Sequence, residues 1–171
     1  RLEGHPSHSA TYAPDGRRIV TASSDMSARV WDAQTGVVLL TLSGHKGVVT
    51  SAAFSPDGEL IVTGSSDRTA KIWDAATGEK LMTFEHPRAV DGVAFSFDGL
   101  RIATACADKA VRIWNARTGK ELAAFAGHRD DVNSVAFSPD DRRIVTGSSD
   151  ATAKLWDSAT GALLATLEGH T

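Results

Sequence analysis

Apolar and polar positions alternate along this chain in short runs, and each run ends in a cluster of turn-forming residues. Leu60-Ile61-Val62-Thr63 is a β-branched run, and both it and Ala70-Lys71-Ile72-Trp73 are too short for helices. Between such runs lie Ser55-Pro56-Asp57-Gly58, Ser65-Ser66-Asp67-Arg68 and Asp74-Ala75-Ala76-Thr77-Gly78. Pro presets φ at one turn position, and Asp-Gly tolerates the positive φ of a tight hairpin. The pattern predicts strands at 49–54, 60–63, 70–73 and 80–84, joined by hairpins into one small antiparallel sheet. No helical period is found anywhere in the chain.

The same pattern recurs roughly every 42 residues. Trp31, Trp73, Trp114 and Trp156 mark the third strand of each copy, followed by Asp32, Asp74, Asn115 and Asp157. A histidine precedes each: His5, His45, His86 and His128. The copies span about 5–43, 44–85, 86–126 and 127–168, with no linker between them. Such periodicity predicts an all-β repeat architecture in which each unit buries its faces against its neighbours. Residues common to all copies are then structural, and function must be sought where copies differ. Repeats two and four agree at 27 of 42 aligned positions, which fits recent duplication or a designed origin.

Composition narrows the options. The 171 residues carry 18 Lys and Arg against 21 Asp and Glu, a net charge of −3. A nucleic-acid or anionic-membrane surface needs a basic excess, so neither partner is expected. Apolar stretches such as Val37–Leu40 are too short to span a bilayer. Cys106 is the single cysteine, which allows no internal disulfide or cysteine-based metal cluster and suits a reducing, cytoplasmic setting. The opening Arg1-Leu2-Glu3-Gly4-His5 reads as the inside of a repeat, with no apolar signal segment.

Gly-His, Ser-Pro-Asp-Gly, Ser-Ser-Asp and Ile-Trp-Asp at these spacings resemble the WD-repeat family of β-propellers over the whole chain. The resemblance implies four blades of four strands and a hydrogen-bonded tetrad in each blade. The implied sets are His5, Thr21, Asp25 and Trp31; His45, Thr63, Asp67 and Trp73; His86, Thr104, Asp108 and Trp114; and His128, Thr146, Asp150 and Trp156. All four sets read as complete. Some positions depart from the family pattern: repeat one is two residues shorter after its histidine, repeat three lacks the Gly before His86 and has Pro87 after it, and Asp141 replaces a turn glycine, which implies strain or another turn type.

A Ser-His-Asp-type hydrolase is an alternative reading of the His, Asp and hydroxyl groups, but a catalytic set occurs once per site, not four times beside a Trp. Neither a metal nor a cofactor is expected, because the histidines fall in separate blades. Cys106 reads as a small buried filler, and Arg17-Arg18 and Arg142-Arg143 read as solvated edges. The resemblance implies that protein or peptide partners dock on the face carrying the blade-leading and second-turn loops. The variable residues there are His8, Met26, Lys46, Thr50, Arg68, Arg88, Asp91, Lys109, Arg129, Asp131 and Asn133. Arg68, Arg88 and Arg129 are the strongest candidates, since arginine is enriched at binding hot spots.

Family rings hold seven or eight blades, about 45 to 50° each, so four blades sweep about half a circle. Two chains are therefore expected to form an eight-bladed ring with two-fold symmetry, blade four of each packing on blade one of the other. The expected function is a non-enzymatic interaction scaffold that self-associates. The alternatives are a fragment or assembly module without a specific ligand and, more remotely, a propeller enzyme.

Overall fold

The computed structural model describes residues 7–169. Sixteen strands form four separate antiparallel sheets, each a simple meander. The first sheet comprises β1 (Ser7–Tyr12), β2 (Arg18–Ser23), β3 (Ser27–Asp32) and β4 (Val38–Ser43). The second comprises β5 (Val49–Phe54), β6 (Leu60–Ser65), β7 (Thr69–Asp74) and β8 (Lys80–Glu85). The third holds β9 (Val90–Phe95), β10 (Arg101–Cys106), β11 (Ala110–Asn115) and β12 (Glu121–Ala126). The fourth holds β13 (Val132–Phe137), β14 (Arg143–Ser148), β15 (Ala153–Asp157) and β16 (Leu163–Leu167). The strands predicted for the second repeat fall on β5 to β8, each within two residues of its predicted ends.

The sheets stack as blades. β1 packs on β5, β5 on β9 and β9 on β13, so these strands line the inner side of the arc. Three apolar cores fill the three seams between successive blades. In the middle seam, Val62, Ala70, Ile72 and Phe84 of blade two meet Val90, Val93, Phe95 and Ile102 of blade three. The turn after each inner strand is closed by its serine and aspartate where these are present. Ser55 Oγ, for example, donates to Asp57 and accepts from Leu60 N–H.

No comparable packing joins blade four to blade one among the described residues. Their outward faces carry the same sequence pattern as the covered ones but remain open. Val145 is 38% exposed, whereas its counterparts Val20, Val62 and Ala103 are fully buried. Tyr12 is 67% exposed, against 8% for Phe54 and Phe95 and 7% for Phe137.

Candidate functional site

In blades two, three and four the histidine that leads the blade bonds to the threonine of the second strand. In blade two the second-strand hydroxyl is the hub. Trp73 Nε1–H donates to Thr63 Oγ1 at 2.9 Å, and His45 Nε2 lies 2.7 Å from the same oxygen. His45 Nδ1 meets Asp67 Oδ2 at 2.9 Å. A carboxylate only accepts, so Nδ1 carries the proton and Nε2 accepts from the threonine. Asp67 also accepts from Lys46 N–H at 2.8 Å and from Thr69 Oγ1–H at 2.7 Å. Burial opposes its charge, but these donors hold the carboxyl down at about 2. Blade four repeats the arrangement with His128, Thr146, Asp150 and Trp156, including Arg129 N–H on Asp150. In blade one Trp31 Nε1–H donates to Thr21 at 2.8 Å. Its Asp25 accepts from Ser27 and pairs with Arg29, and His5 lies outside the described residues.

Blade three departs from the expectation of a complete set. His86 Nε2, Thr104 Oγ1 and Trp114 Nε1 keep their chain at 2.9 and 3.0 Å. His86 Nδ1, however, donates to Phe84 C=O at 3.1 Å, and Asp108 forms a two-pronged pair with Arg112. Two substitutions account for this. Pro87 has no N–H to replace those of Lys46 and Arg129, and Ala110 has no hydroxyl to replace that of Thr69 or Thr152. With those donors gone, the carboxylate turns to the Arg112 fork. Burial of His86, without a carboxylate bonded to it, depresses its pKa to about 4.

The variable loop residues stand on two recurring backbone devices. His8, Thr50, Asp91 and Asn133 each occupy the unpaired position where the register of the inner strand shifts against its neighbour. Such a bulge re-aims the side chain, and here it does so at the same point in every blade. Met26, Arg68, Lys109 and Ala151 all adopt φ between 63 and 72° in the second turn. That conformation disfavours side chains, so each turn is held by its preceding aspartate, as in Thr69 N–H to Asp67. The loop signal in the sequence located these residues but gave no hint of the bulges.

Several of these side chains are already engaged. His8 Nε2 is 2.5 Å from Ser24 Oγ, Asn133 donates to Ser149, and Thr50 donates to Val90 C=O in the next blade. Lys109 Nζ reaches Arg129 C=O at 2.8 Å. Asp91 is half-buried, and burial with the nearby Asp131 raises its pKa. Met26 of blade one, Lys46 and Arg68 of blade two, Arg88 of blade three and Arg129 of blade four project into solvent.

Arg18 is not the solvated edge that the sequence suggests, and Arg101, at the same position two blades on, behaves as it does. Arg18 lies in the first seam, its guanidinium 5.2 Å from the centre of the Phe54 ring, donating to Gly58 C=O at 2.9 Å. Arg101 repeats this in the third seam over Phe137, donating to Asp141 C=O at 3.0 Å. Cys106 is buried, with its thiol pushed up to about 11, so it behaves as an inert filler. Among the described residues, no three His, Cys, Asp or Glu side chains converge as a metal site.

The repeat pattern agrees with a known family. The family model described as "WD domain, G-beta repeat" matches residues 1–32, 36–74, 78–115 and 119–157. No characterised protein matches the chain. With four matches covering most of its length, four meander blades and the Trp-Thr-His chains of blades two to four, the chain belongs to the WD40 repeat family.

Proposed function

We propose that this chain is a non-enzymatic WD40 scaffold that binds protein or peptide partners on its bulged loop face and works as a two-chain, eight-bladed ring. One observation carries the scaffold reading. The residues that differ between blades, such as Arg68 and Lys109, sit on equivalent and rigid backbone sites. A fixed frame with variable side chains is what a recognition surface requires. The groups that mimic a hydrolase triad are committed elsewhere, because Thr63 Oγ1 is held between an indole and an imidazole. The open faces of blades one and four support closure by another copy, since burying Val145 and Leu167 removes apolar surface that every internal blade keeps covered.

The experiment is selection from a displayed random-peptide library followed by binding to a triple variant, Arg68→Ala, Arg88→Ala and Arg129→Ala. The scaffold reading expects selected peptides to lose binding while the oligomer keeps its size. Peptides that bind wild type and triple variant alike would take these arginines out of the binding surface, and a library that yields no binders would favour a module that only assembles. The intramolecular bonds of His8, Asn133 and Lys109 are the observation that keeps this second reading in play.

A further inference from the structure

The first residue of each second strand points into the seam with the following blade, and the structure shows what it does there twice. Arg18 lies over Phe54 and donates to Gly58 C=O and, at 3.4 Å, to Ala75 C=O. Arg101 lies over Phe137 and donates to Asp141 C=O and to Ser158 Oγ at 3.3 Å. Phe54 and Phe137 end their inner strands, Gly58 and Asp141 close the next turn, and Ala75 and Ser158 follow the third strand. In the middle seam Leu60 takes the arginine's place and packs in the apolar core with Phe95. The contact is thus a repeating key and socket between consecutive blades.

Blade four carries a key with no socket. Arg143 begins β14 and pairs with Asp157, in the register in which Arg18 pairs with Asp32 and Arg101 with Asn115. It is exposed on the open face, and among the described residues its guanidinium donates to nothing. Blade one carries a socket with no key. Tyr12, Gly16 and Ala33 hold the positions of Phe54, Gly58 and Ala75, and they line an open hollow together with Arg17, Asp32 and Gln34. The charge of Arg17 is no obstacle, because Arg142 holds the same position beside the socket that Arg101 fills.

We propose that Arg143 of one copy inserts into the Tyr12–Gly16–Ala33 hollow of a second copy, lying over the Tyr12 ring and donating to the carbonyls of Gly16 and Ala33. This inference rests on the ring reading above and names the contact that selects the partner. The occupant is another copy of this chain because key and socket lie at opposite ends of the same molecule, so each supplies what the other lacks. The surrounding faces agree with that pairing. Leu167 is 54% exposed, whereas Leu42, Phe84 and Phe125 at its position are buried. The inner strand that would cover blade four is β1, which has Ser7 where β5, β9 and β13 have Val49, Val90 and Val132. Ser7 would bring less apolar area to that seam than the valines bring to the internal ones, so the arginine would contribute a larger share of its strength. It combines a cation–π contact with two hydrogen bonds to backbone carbonyls.

The test is dilution of the full chain followed by light-scattering mass, comparing Arg143→Ala and Tyr12→Ala with Arg142→Ala as a neighbouring control of the same charge. Each ring has two such seams. Loss of the key should weaken association about tenfold per seam, or about a hundredfold in dimer Kd, with Arg142→Ala unchanged. Arg143 and Tyr12 are exposed, and far-UV circular dichroism checks that the variants fold. A double variant no weaker than either single one is also expected, because both remove one contact. If wild type is dimeric and Arg143→Ala dissociates no more readily than Arg142→Ala, this contact is overturned and the ring reading stands. If wild type is monomeric, the ring reading itself fails.

Discussion

Asp141 accepts the backbone N–H of Phe97 at 2.7 Å and that of Asp98 at 2.8 Å, across the seam between blades three and four. Both residues depart from the repeat. Asp141 stands at φ 58° where Gly16, Gly58 and Gly99 occupy the other copies, and Phe97 stands where Pro14, Pro56 and Pro139 do. A proline at 97 would have no N–H to give, so the two departures form one matched interaction. The strain expected at Asp141 is present in its φ and is offset by these two bonds.

Asp141→Ala should therefore lose both bonds while keeping the strained φ, costing about 1–2 kcal/mol in urea unfolding. Asp141→Gly loses the bonds and the strain together and should cost less. Phe97→Pro combined with Asp141→Gly should cost less than the sum of the single changes by about 1 kcal/mol. Strict additivity would show that the pair is coincidental.

Thr63 is predicted to be among the most sensitive small side chains. Thr63→Val keeps the shape but leaves the Trp73 N–H without its acceptor and His45 Nε2 without its donor, in a site closed to water. The expected cost is about 2–3 kcal/mol, against less than about 0.5 for Arg68→Ala on the surface. Equal midpoints in chemical denaturation would remove the network from the account of stability.

Blade three should be repairable. Pro87→Lys restores the N–H found at Lys46, Ala110→Thr restores the hydroxyl found at Thr69, and Arg112→Lys releases Asp108 from its fork. The triple variant should bring Asp108 onto His86 and raise stability by about 1 kcal/mol, read as a higher Tm. A lower Tm would mean that the Asp108–Arg112 pair is the better arrangement in this blade.

Acid should weaken the fold in two stages. His86 titrates near 4 when folded and near its ordinary 6.5 when unfolded, and His45 is also lowered by burial. Over that interval the unfolded chain binds more protons, so stability is full above about 6.5 and falls as pH drops toward 4. Asp67, at about 2 against an ordinary 3.8, then loses its contribution as pH falls through that lower range. Tm measured from pH 7 to 3 should decline throughout, and His86→Gln should flatten the upper part. A Tm that is level from pH 7 to 4 would contradict the assignment of a neutral buried His86.

The strands were legible because the turns are chemically explicit: Ser55-Pro56-Asp57-Gly58 ends one strand and starts the next whatever surrounds it. The broken set in blade three was legible in principle, since Pro87 and Ala110 are visible in the sequence. All four residue types of the set are nevertheless present in blade three, and what it lacks is the pair of donors that hold the aspartate in place. The bulges under His8, Thr50, Asp91 and Asn133 were not legible, because a bulge is a property of two paired strands. Arg18 and Arg143 have the same sequence surroundings, and only packing shows that one fills a socket while the other faces outward.

The open faces of blades one and four make the central claim directly measurable. A single chain has a mass of 18.0 kDa. Light scattering of the purified chain at micromolar concentration should give twice that value, the mass of a closed eight-bladed ring. A stable species at the mass of one chain would contradict the account.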